Sequence, residues 1–247
     1  MCTSFISNRK KTIVGFNLDI LDMKHKIVVE DDKVYIAILD EKEGWLPLFG
    51  GNANGNFVGM PTCWPYDSRS NQKAGDDINI INLDIDFLLG KYLLKDVKEI
   101  VDNKFVCSVP NLTFQSQLSD INGNVLQVIP GQANIYKEKP VYSIMTNFSP
   151  IKGNSELHPW MGYDRYLKAQ EILENANDDF DYLDGFKLLK ECSQEVCPTV
   201  ASLIYDASDN IMYYCENRDF KNIKVKRFNE RWYWYFKCMF KDRKINS

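Results

Sequence analysis

Two short apolar segments at the start of the chain predict a β-hairpin. Thr3–Ser7 and Thr12–Asp19 are rich in β-branched and aromatic side chains, and polar residues 8–11 separate them. Runs of this length on either side of a polar turn are typical of paired strands. The second strand is therefore expected to bring Asp19 or its neighbours back beside Cys2.

The same kind of pattern recurs and predicts strands in blocks. The predicted strands are Lys26–Glu30, Lys33–Asp40, Phe105–Val109, Thr113–Asp120, Asn124–Ile129, Val141–Thr146, Thr199–Tyr205, Ile211–Cys215 and Ile223–Phe228. Gly50–Asn56 is dense in turn formers and is interpreted as a loop. It does not resemble a phosphate-binding loop, because no Gly-Lys-Ser/Thr follows. Residues 61–75 are also predicted to be a loop.

Three stretches carry helical periodicity. Asp84–Asn103 has apolar residues mostly three and four positions apart, with Gly90 as a possible break, and Met161–Asn175 and Phe180–Ser193 follow. Such amphipathic helices usually pack on a core. The aromatic run Trp232–Phe236 favours a sheet edge or a dimer contact over a ligand platform. Blocks of strands with helices between and after them indicate one α+β domain spanning residues 1–247.

Composition narrows the function classes. The 247 residues carry a net charge of -4 with acids and bases well mixed, so neither a nucleic acid nor a membrane surface is an expected partner. No apolar run approaches a membrane span or a signal segment, and we expect a cytoplasmic protein. Seven scattered cysteines are expected to be mostly free thiols. Their spacing suggests no zinc site, and no cofactor is expected.

Candidate chemistry lies at Cys2. Removal of Met1 would leave a cysteine with a free α-amine, and that amine could take the proton of the thiol. Their ordinary pKa values, ~7.7–8.0 and ~8.5, make this transfer nearly balanced. A terminal amine acting as base is a recognised variant of the nucleophile–base pair. The chain has only two histidines, His25 and His158, which also favours a nucleophile that carries its own base.

Several segments together resemble the choloylglycine hydrolase family of N-terminal-nucleophile hydrolases, which includes bile salt hydrolases and penicillin V acylases. The resemblance rests on Cys2-Thr3, Gly15–Asp19, Gly50–Gly55, Ser119–Gly123, Thr146–Pro150, Asp164–Tyr166 and the closing hairpin Ser202–Tyr214. It covers nearly the whole chain. It implies a four-layer αββα sandwich of two antiparallel sheets between helix layers, and hydrolysis of a linear amide C–N bond through an acyl-enzyme.

The resemblance also implies roles for five residues. Cys2 corresponds to the nucleophile and Asp19 to the acid that fixes the amine. Asn147 corresponds to an oxyanion side-chain donor, and Asn52 to the asparagine whose backbone N–H completes the oxyanion hole. Arg165 corresponds to an arginine that holds the aspartate and the amine.

The chain departs from the family pattern beside the nucleophile. Phe16 stands where members usually carry arginine, a cation that would lower a thiol pKa, and Ala53 replaces a frequent glutamate. An apolar acyl pocket is predicted from Phe16, Met60, Trp64 and Phe148. The expected substrate is a small-molecule N-acyl amide. Acyl transfer to an amine, a catalytically silent binding protein, and assembly as a homo-oligomer remain open alternatives.

Overall fold

The computed structural model describes residues 1–64, 77–109, 112–151 and 161–228. In chain order, its elements are β1 (Cys2–Asn8), β2 (Thr12–Asp19), β3 (His25–Val29), β4 (Lys33–Asp40), β5 (Gly44–Asn52), β6 (Phe57–Gly59), β7 (Ile78–Asn79), α1 (Ile80–Leu88), α2 (Leu94–Asn103), β8 (Val106–Cys107), β9 (Ser116–Ser119), β10 (Val125–Ile129), β11 (Ala133–Lys137), β12 (Tyr142–Met145), α3 (Tyr163–Glu174), α4 (Tyr182–Glu191), β13 (Thr199–Asp206), β14 (Ile211–Glu216) and β15 (Lys224–Arg227).

The first sheet has six strands in the order β12-β1-β2-β13-β14-β15, and every pair in it is antiparallel. Cys2 pairs with Leu18, and Ser4 pairs with Met145 on the other side. The start of β1 and the ends of β2 and β12 therefore meet at one end of the sheet.

The second sheet has seven strands in the order β11-β10-β9-β6-β5-β4-β3, again all antiparallel. Three of its strands, β5, β6 and β11, were not predicted. β5 runs through Gly50–Asn52, which the sequence assigned to a loop, and only residues 53–56 form the turn to β6. β11 pairs with β10 although its side chains are mostly exposed or half-buried, which hides the apolar signature of a strand.

The two sheets face each other between two helix layers. Apolar side chains from both sheets, with Leu83 of α1 and Val97 of α2, form one buried cluster. A second cluster joins the outer face of the first sheet to α3 and α4, and includes Phe5, Leu173 and Phe186. The αββα layering expected from the sequence is therefore confirmed.

The predicted helix Asp84–Asn103 is two helices. α1 begins earlier than expected, because the Asn79 side chain caps it by accepting a hydrogen bond from the N–H of Ile81 at 2.9 Å. It ends before Gly90, whose φ of 76° lies in the left-handed region that glycine tolerates best. The predicted break at Gly90 is confirmed.

Some predictions concern residues outside the described ranges. These are the aromatic run Trp232–Phe236 and all but the first residues of the loop predicted for 61–75. Among the described residues, none of the four helices combines the length and apolar character that crossing a bilayer requires.

A buried carboxyl lies in the outer helix layer. Asp84 of α1 is fully buried and accepts a hydrogen bond from the Ser116 hydroxyl through Oδ2, whereas its Oδ1 has no hydrogen-bond partner among the described residues. Burial raises the pKa of Asp84 to about 8, although the Ser116 hydrogen bond opposes the shift. Below that pH the neutral acid is the favoured form.

This raised pKa predicts a pH dependence of stability. A folded-state pKa above the ordinary value of 3.8 means that the contribution of Asp84 is fully present below about pH 4 and is lost as pH rises towards about 8. Each pKa unit between the folded and unfolded states corresponds to about 1.4 kcal/mol in the free energy of unfolding. We expect the free energy of unfolding, measured with urea between pH 5 and 9, to fall less steeply with pH in Asp84→Asn.

Asp86→Asn is the matched control, because Asp86 lies on the same helix but is partly exposed and pairs with Lys91. It should keep the pH slope of the unsubstituted protein. Identical slopes in Asp84→Asn and the unsubstituted protein would show that Asp84 does not titrate in this range.

Candidate active site

Three strand ends place the candidate residues together. Cys2 begins β1, Asp19 ends β2, and Asn147 follows two residues after β12. All three residues are buried. The antiparallel register therefore brings together side chains that are up to 145 residues apart in the chain.

Asn147 contacts the backbone of Cys2 directly. The N–H of Cys2 donates to Asn147 Oδ1 at 2.8 Å, and Arg165 Nη2 donates to the same oxygen at 2.9 Å. Asn147 Nδ2 points the other way and donates to the carbonyl and the hydroxyl of Thr62 at 2.8 and 2.9 Å. The two ends of the amide are thus fixed, with the carbonyl towards Cys2 and the N–H donors towards Thr62.

Arg165 is the centre of this cluster. It projects from the first turn of α3 and is 4% exposed. Its Nη1 donates to the Cys2 carbonyl at 2.6 Å and to the Thr3 hydroxyl at 2.9 Å, and lies 3.7 Å from Asp19 Oδ2. One guanidinium therefore links Cys2, Asp19 and Asn147.

Asp19 is held by two neutral donors as well as by that cation. Thr199 donates its hydroxyl to Oδ1 and Gln194 donates its Nε2 to Oδ2, both at 2.6 Å. Burial raises the pKa of Asp19 to about 6, although Arg165 and these two hydrogen bonds favour the carboxylate. Burial is therefore the stronger influence, and Asp19 titrates near neutral pH.

In the chain that retains Met1, the α-amine of Met1 also lies in this cluster. Met1 N donates to the backbone carbonyl of Asp19 at 2.5 Å and lies 3.9 Å from Cys197 Sγ. Burial would lower the pKa of this amine, but the neighbouring charges of Cys2, Cys197 and Asp19 outweigh it and raise the pKa. Burial raises the pKa of the Cys2 thiol, so the thiol form is favoured.

Asn52 makes its hydrogen bonds outside this cluster. Its backbone N–H donates to the Asn56 carbonyl at 3.0 Å, and its side-chain Nδ2 donates to the Leu88 carbonyl at 2.8 Å. The N–H expected to complete an oxyanion hole is already used in the β5–β6 turn. The role predicted for Asn52 remains a prediction, and these contacts do not support it.

The predicted pocket residues fall into two groups. Phe16 and Met60 are fully buried in the core between the sheets, where Phe16 stacks on Phe49 with ring centroids 4.9 Å apart. Trp64 and Phe148 are half-buried and form a bridge beside Asn147. Phe16 and Met60 belong to the same buried cluster as Cys2, whereas Trp64 and Phe148 lie beside Asn147. A substrate role for all four residues remains a prediction.

Sequence reasoning missed Thr3, Thr62, Gln194 and Thr199. Thr62 and Thr199 carry ordinary side chains in segments that showed no motif, and Gln194 follows a helix. A single signal was available: Thr3 follows Cys2 in the segment that carries the family resemblance. The other three can be recognised only by their hydrogen bonds to Asn147 or Asp19, which are 85 residues or more away in the chain.

Within the described ranges, no three His, Cys, Asp or Glu side chains come together in a way that could hold a metal ion.

Comparisons with known proteins define the fold. No family model matches the chain, and no curated protein matches it in sequence. Solved structures do match, and the neighbours are N-terminal-nucleophile hydrolases. The chain therefore has the fold of this class, as the sequence resemblance implied.

Three of these solved structures illustrate the similarity in fold. The mutant C2A of conjugated bile acid hydrolase from Clostridium perfringens is 15% identical, with a TM-score of 0.62 over 93% of this chain and 97% of that chain. Penicillin V acylase from Agrobacterium tumefaciens is 13% identical, with a TM-score of 0.62 over 87% and 83%. The Caenorhabditis elegans ortholog of N-acylethanolamine-hydrolyzing acid amidase is 16% identical, with a TM-score of 0.58 over 83% and 93%.

Gly162 provides a test of the arginine cluster. It precedes α3 with φ of 74°, and a Cβ built on it would lie 2.2 Å from Arg165 Nη2. Gly162→Ala should therefore force the guanidinium away from Asn147 and also strain the backbone. We expect it to lower the free energy of unfolding by at least about 1 kcal/mol more than backbone strain alone, in urea titrations.

Gly44→Ala measures the backbone part alone. Gly44 has a similar φ of 80°, but an added Cβ would meet no described atom within 4 Å. Equal losses in the two variants would mean that the contact between Gly162 and Arg165 contributes nothing.

Proposed function

We propose that the chain is an N-terminal cysteine hydrolase that cleaves the amide bond of an N-acyl compound. The observation that carries the proposal is the hydrogen bond from Cys2 N to Asn147 Oδ1, with Arg165 and Asp19 behind it. The fold adds support, because the neighbours named above are a bile acid hydrolase, a penicillin V acylase and an N-acylethanolamine-hydrolyzing amidase.

Removal of Met1 is the first step of the proposal. The nitrogen that now donates to Asn147 would then become the free α-amine of Cys2. Asn147 Oδ1 would hold that amine, while Arg165 would hold the Cys2 carbonyl next to it. An amine fixed in this way is positioned to accept the thiol proton.

The reaction proceeds in two halves. Cys2 Sγ attacks the substrate carbonyl while the amine takes the thiol proton, and the same proton then passes to the leaving nitrogen as the C–N bond breaks. Water next attacks the thioester, with the amine taking a proton from water and returning it to the thiolate. The products are a carboxylic acid and an amine.

Asn147 would stabilise the tetrahedral oxygen. Its Nδ2 now donates to Thr62, so the oxygen that develops on the substrate would replace the Thr62 hydroxyl as the acceptor. Loss of one such donor typically slows the reaction ~10²–10³-fold. Of the proposed acyl-pocket residues, Trp64 and Phe148 lie beside Asn147, and Phe16 and Met60 belong to the buried cluster that includes Cys2.

The nucleophile is tested with a panel of N-acyl amides that differ in the acyl group, after intact mass has shown whether Met1 is absent. We expect amine release from the processed protein and none from Cys2→Ala, because the attacking sulfur is gone. Cys215→Ala, which removes a buried cysteine in β14, should remain active. Equal release from Cys2→Ala and the unsubstituted protein would reject the proposal.

The raised pKa of Asp19 predicts how the activity changes with pH on the acid side of its pH profile. Its carboxylate forms as pH rises through its pKa of about 6, and only the charged form pairs with Arg165 and favours a cationic amine. We therefore expect one component of the rise in kcat/KM to have its midpoint near pH 6, separate from the rise at higher pH that accompanies deprotonation of the amine base. In Asp19→Asn the component near pH 6 should disappear, together with most of the activity, whereas a component there that persists would belong to another group.

A further inference from the structure

Gln115 is a buried glutamine that does not belong to the predicted site. It immediately precedes β9 and is fully buried. Its Nε2 donates to the carbonyl of Thr146 at 2.8 Å and to the carbonyl of Phe148 at 3.0 Å. These two residues flank Asn147 on either side.

The segment that carries Asn147 needs such support. β12 ends at Met145, so the carbonyls of residues 146 and 148 lie beyond the regular strand. The backbone of Asn147 is anchored by its N–H to the Met161 carbonyl at 3.0 Å and by its own carbonyl to the Trp64 N–H at 2.7 Å. Gln115 adds the Thr146 carbonyl, which lies in the peptide plane just before the Asn147 α-carbon, and the Phe148 carbonyl, which lies one peptide beyond the plane that follows it. The Asn147 segment is therefore held on both sides of the residue.

The backbone of Gln115 holds the other partner of Asn147. Its N–H donates to the Pro61 carbonyl at 3.0 Å, beside Thr62. Thr62 is the acceptor of the Asn147 amide donors. Gln115 therefore contacts both the segment that carries Asn147 and the segment towards which the Asn147 amide points.

We propose that Gln115 is a positioning residue that aims the Asn147 amide at the developing oxyanion, an inference that rests on the proposed hydrolase function. Two N–H donors on one nitrogen match two carbonyls, and among uncharged side chains only the amides of asparagine and glutamine supply them. An error of about 1 Å in the position of a catalytic group can cost ~10²-fold in rate. The buried Gln115 side chain therefore orients the segment that carries Asn147, as well as filling space.

Gln127 offers a matched structural control. It is also fully buried, in the adjacent strand β10, and its Oε1, like that of Gln115, has no hydrogen-bond partner in the part of the chain that the structure describes. Its Nε2 donates to Gln117, Ser143 and the Ile144 carbonyl, at 3.1, 3.2 and 3.3 Å, and not to residues next to Asn147. Substitution of either glutamine by methionine removes the donors and keeps a similar volume.

The test compares two reactions of Cys2 in protein that has lost Met1. A p-nitrophenyl acyl ester acylates the thiol through a tetrahedral oxyanion, whereas iodoacetamide alkylates it by displacement without one. We expect Gln115→Met to slow acylation about tenfold or more, read from the p-nitrophenolate burst and the adduct mass, and to change alkylation less than twofold. Gln127→Met should lower Tm but leave both rates near those of the unsubstituted protein.

The outcomes separate the inference from the function on which it rests. Alkylation without acylation of unsubstituted Cys2 would reject the hydrolase proposal and this inference with it. Normal acylation of Gln115→Met, or an equal loss in Gln127→Met, would reject only the role of Gln115. If Gln115→Met does not fold, Gln115→Asn keeps the amide but is one methylene too short to reach both carbonyls, and it should show the same selective loss.

Discussion

A buried guanidinium holds the start of the chain at the end of the first sheet. Arg165 contacts Cys2, Thr3, Asp19 and Asn147 from a nearly inaccessible position. Burial of such a charge costs several kcal/mol unless the partners are well placed, and removal of one partner then destabilises strongly. The cluster therefore demands that β1, β2, the 146–148 segment and α3 keep one mutual arrangement. That arrangement is also the one the proposed chemistry needs.

Polar contacts also cross the interior between the two sheets. Gln117 donates to the Ser4 hydroxyl at 3.1 Å, and Gln127 reaches Ser143, so β9 and β10 are hydrogen-bonded to β1 and β12. Apolar contacts are non-directional and tolerate sliding, whereas hydrogen bonds require a defined position. This polar patch joins β9 and β10 to β1, which begins with Cys2, and to β12, which leads to Asn147. The polar residues therefore give up some hydrophobic stabilisation in return for a fixed register.

The sequence predicted those features that depend on local periodicity. The β1–β2 hairpin, which returns Asp19 to Cys2, follows from two apolar segments around a short polar turn, and its register is as expected. β5 escaped prediction because Gly50 and Gly51 are turn formers in isolation. In the structure, a Cβ at Gly50 would clash with the β4 backbone at 2.2 Å, so glycine there permits close strand pairing.

The sequence predicted candidate site residues only in segments where a family motif is recognisable. Cys2, Asp19, Asn147 and Arg165 lie in segments that resemble a family, and the structure brings them together. Gln194 and Thr199 could not be found in this way, because each is placed in the site by a hydrogen bond to the Asp19 carboxylate, which is 175 or more residues away in the chain. Asn52 shows what a local motif leaves out: its turn resembles the family motif, but only the structure shows that its N–H donates within the turn.

Phe16 changes how the proposed nucleophile would have to be activated. It stacks on Phe49 inside the core, and burial raises the pKa of the Cys2 thiol. A preformed thiolate is therefore disfavoured, since the cation that the family resemblance implies at position 16 is missing. Under the proposed chemistry, the proton must leave sulfur as the sulfur attacks, and the negative charge that develops passes directly to the substrate oxygen. Under that proposal, stabilisation of the charge would fall on Asn147, whose backbone and side chain are both held by hydrogen bonds.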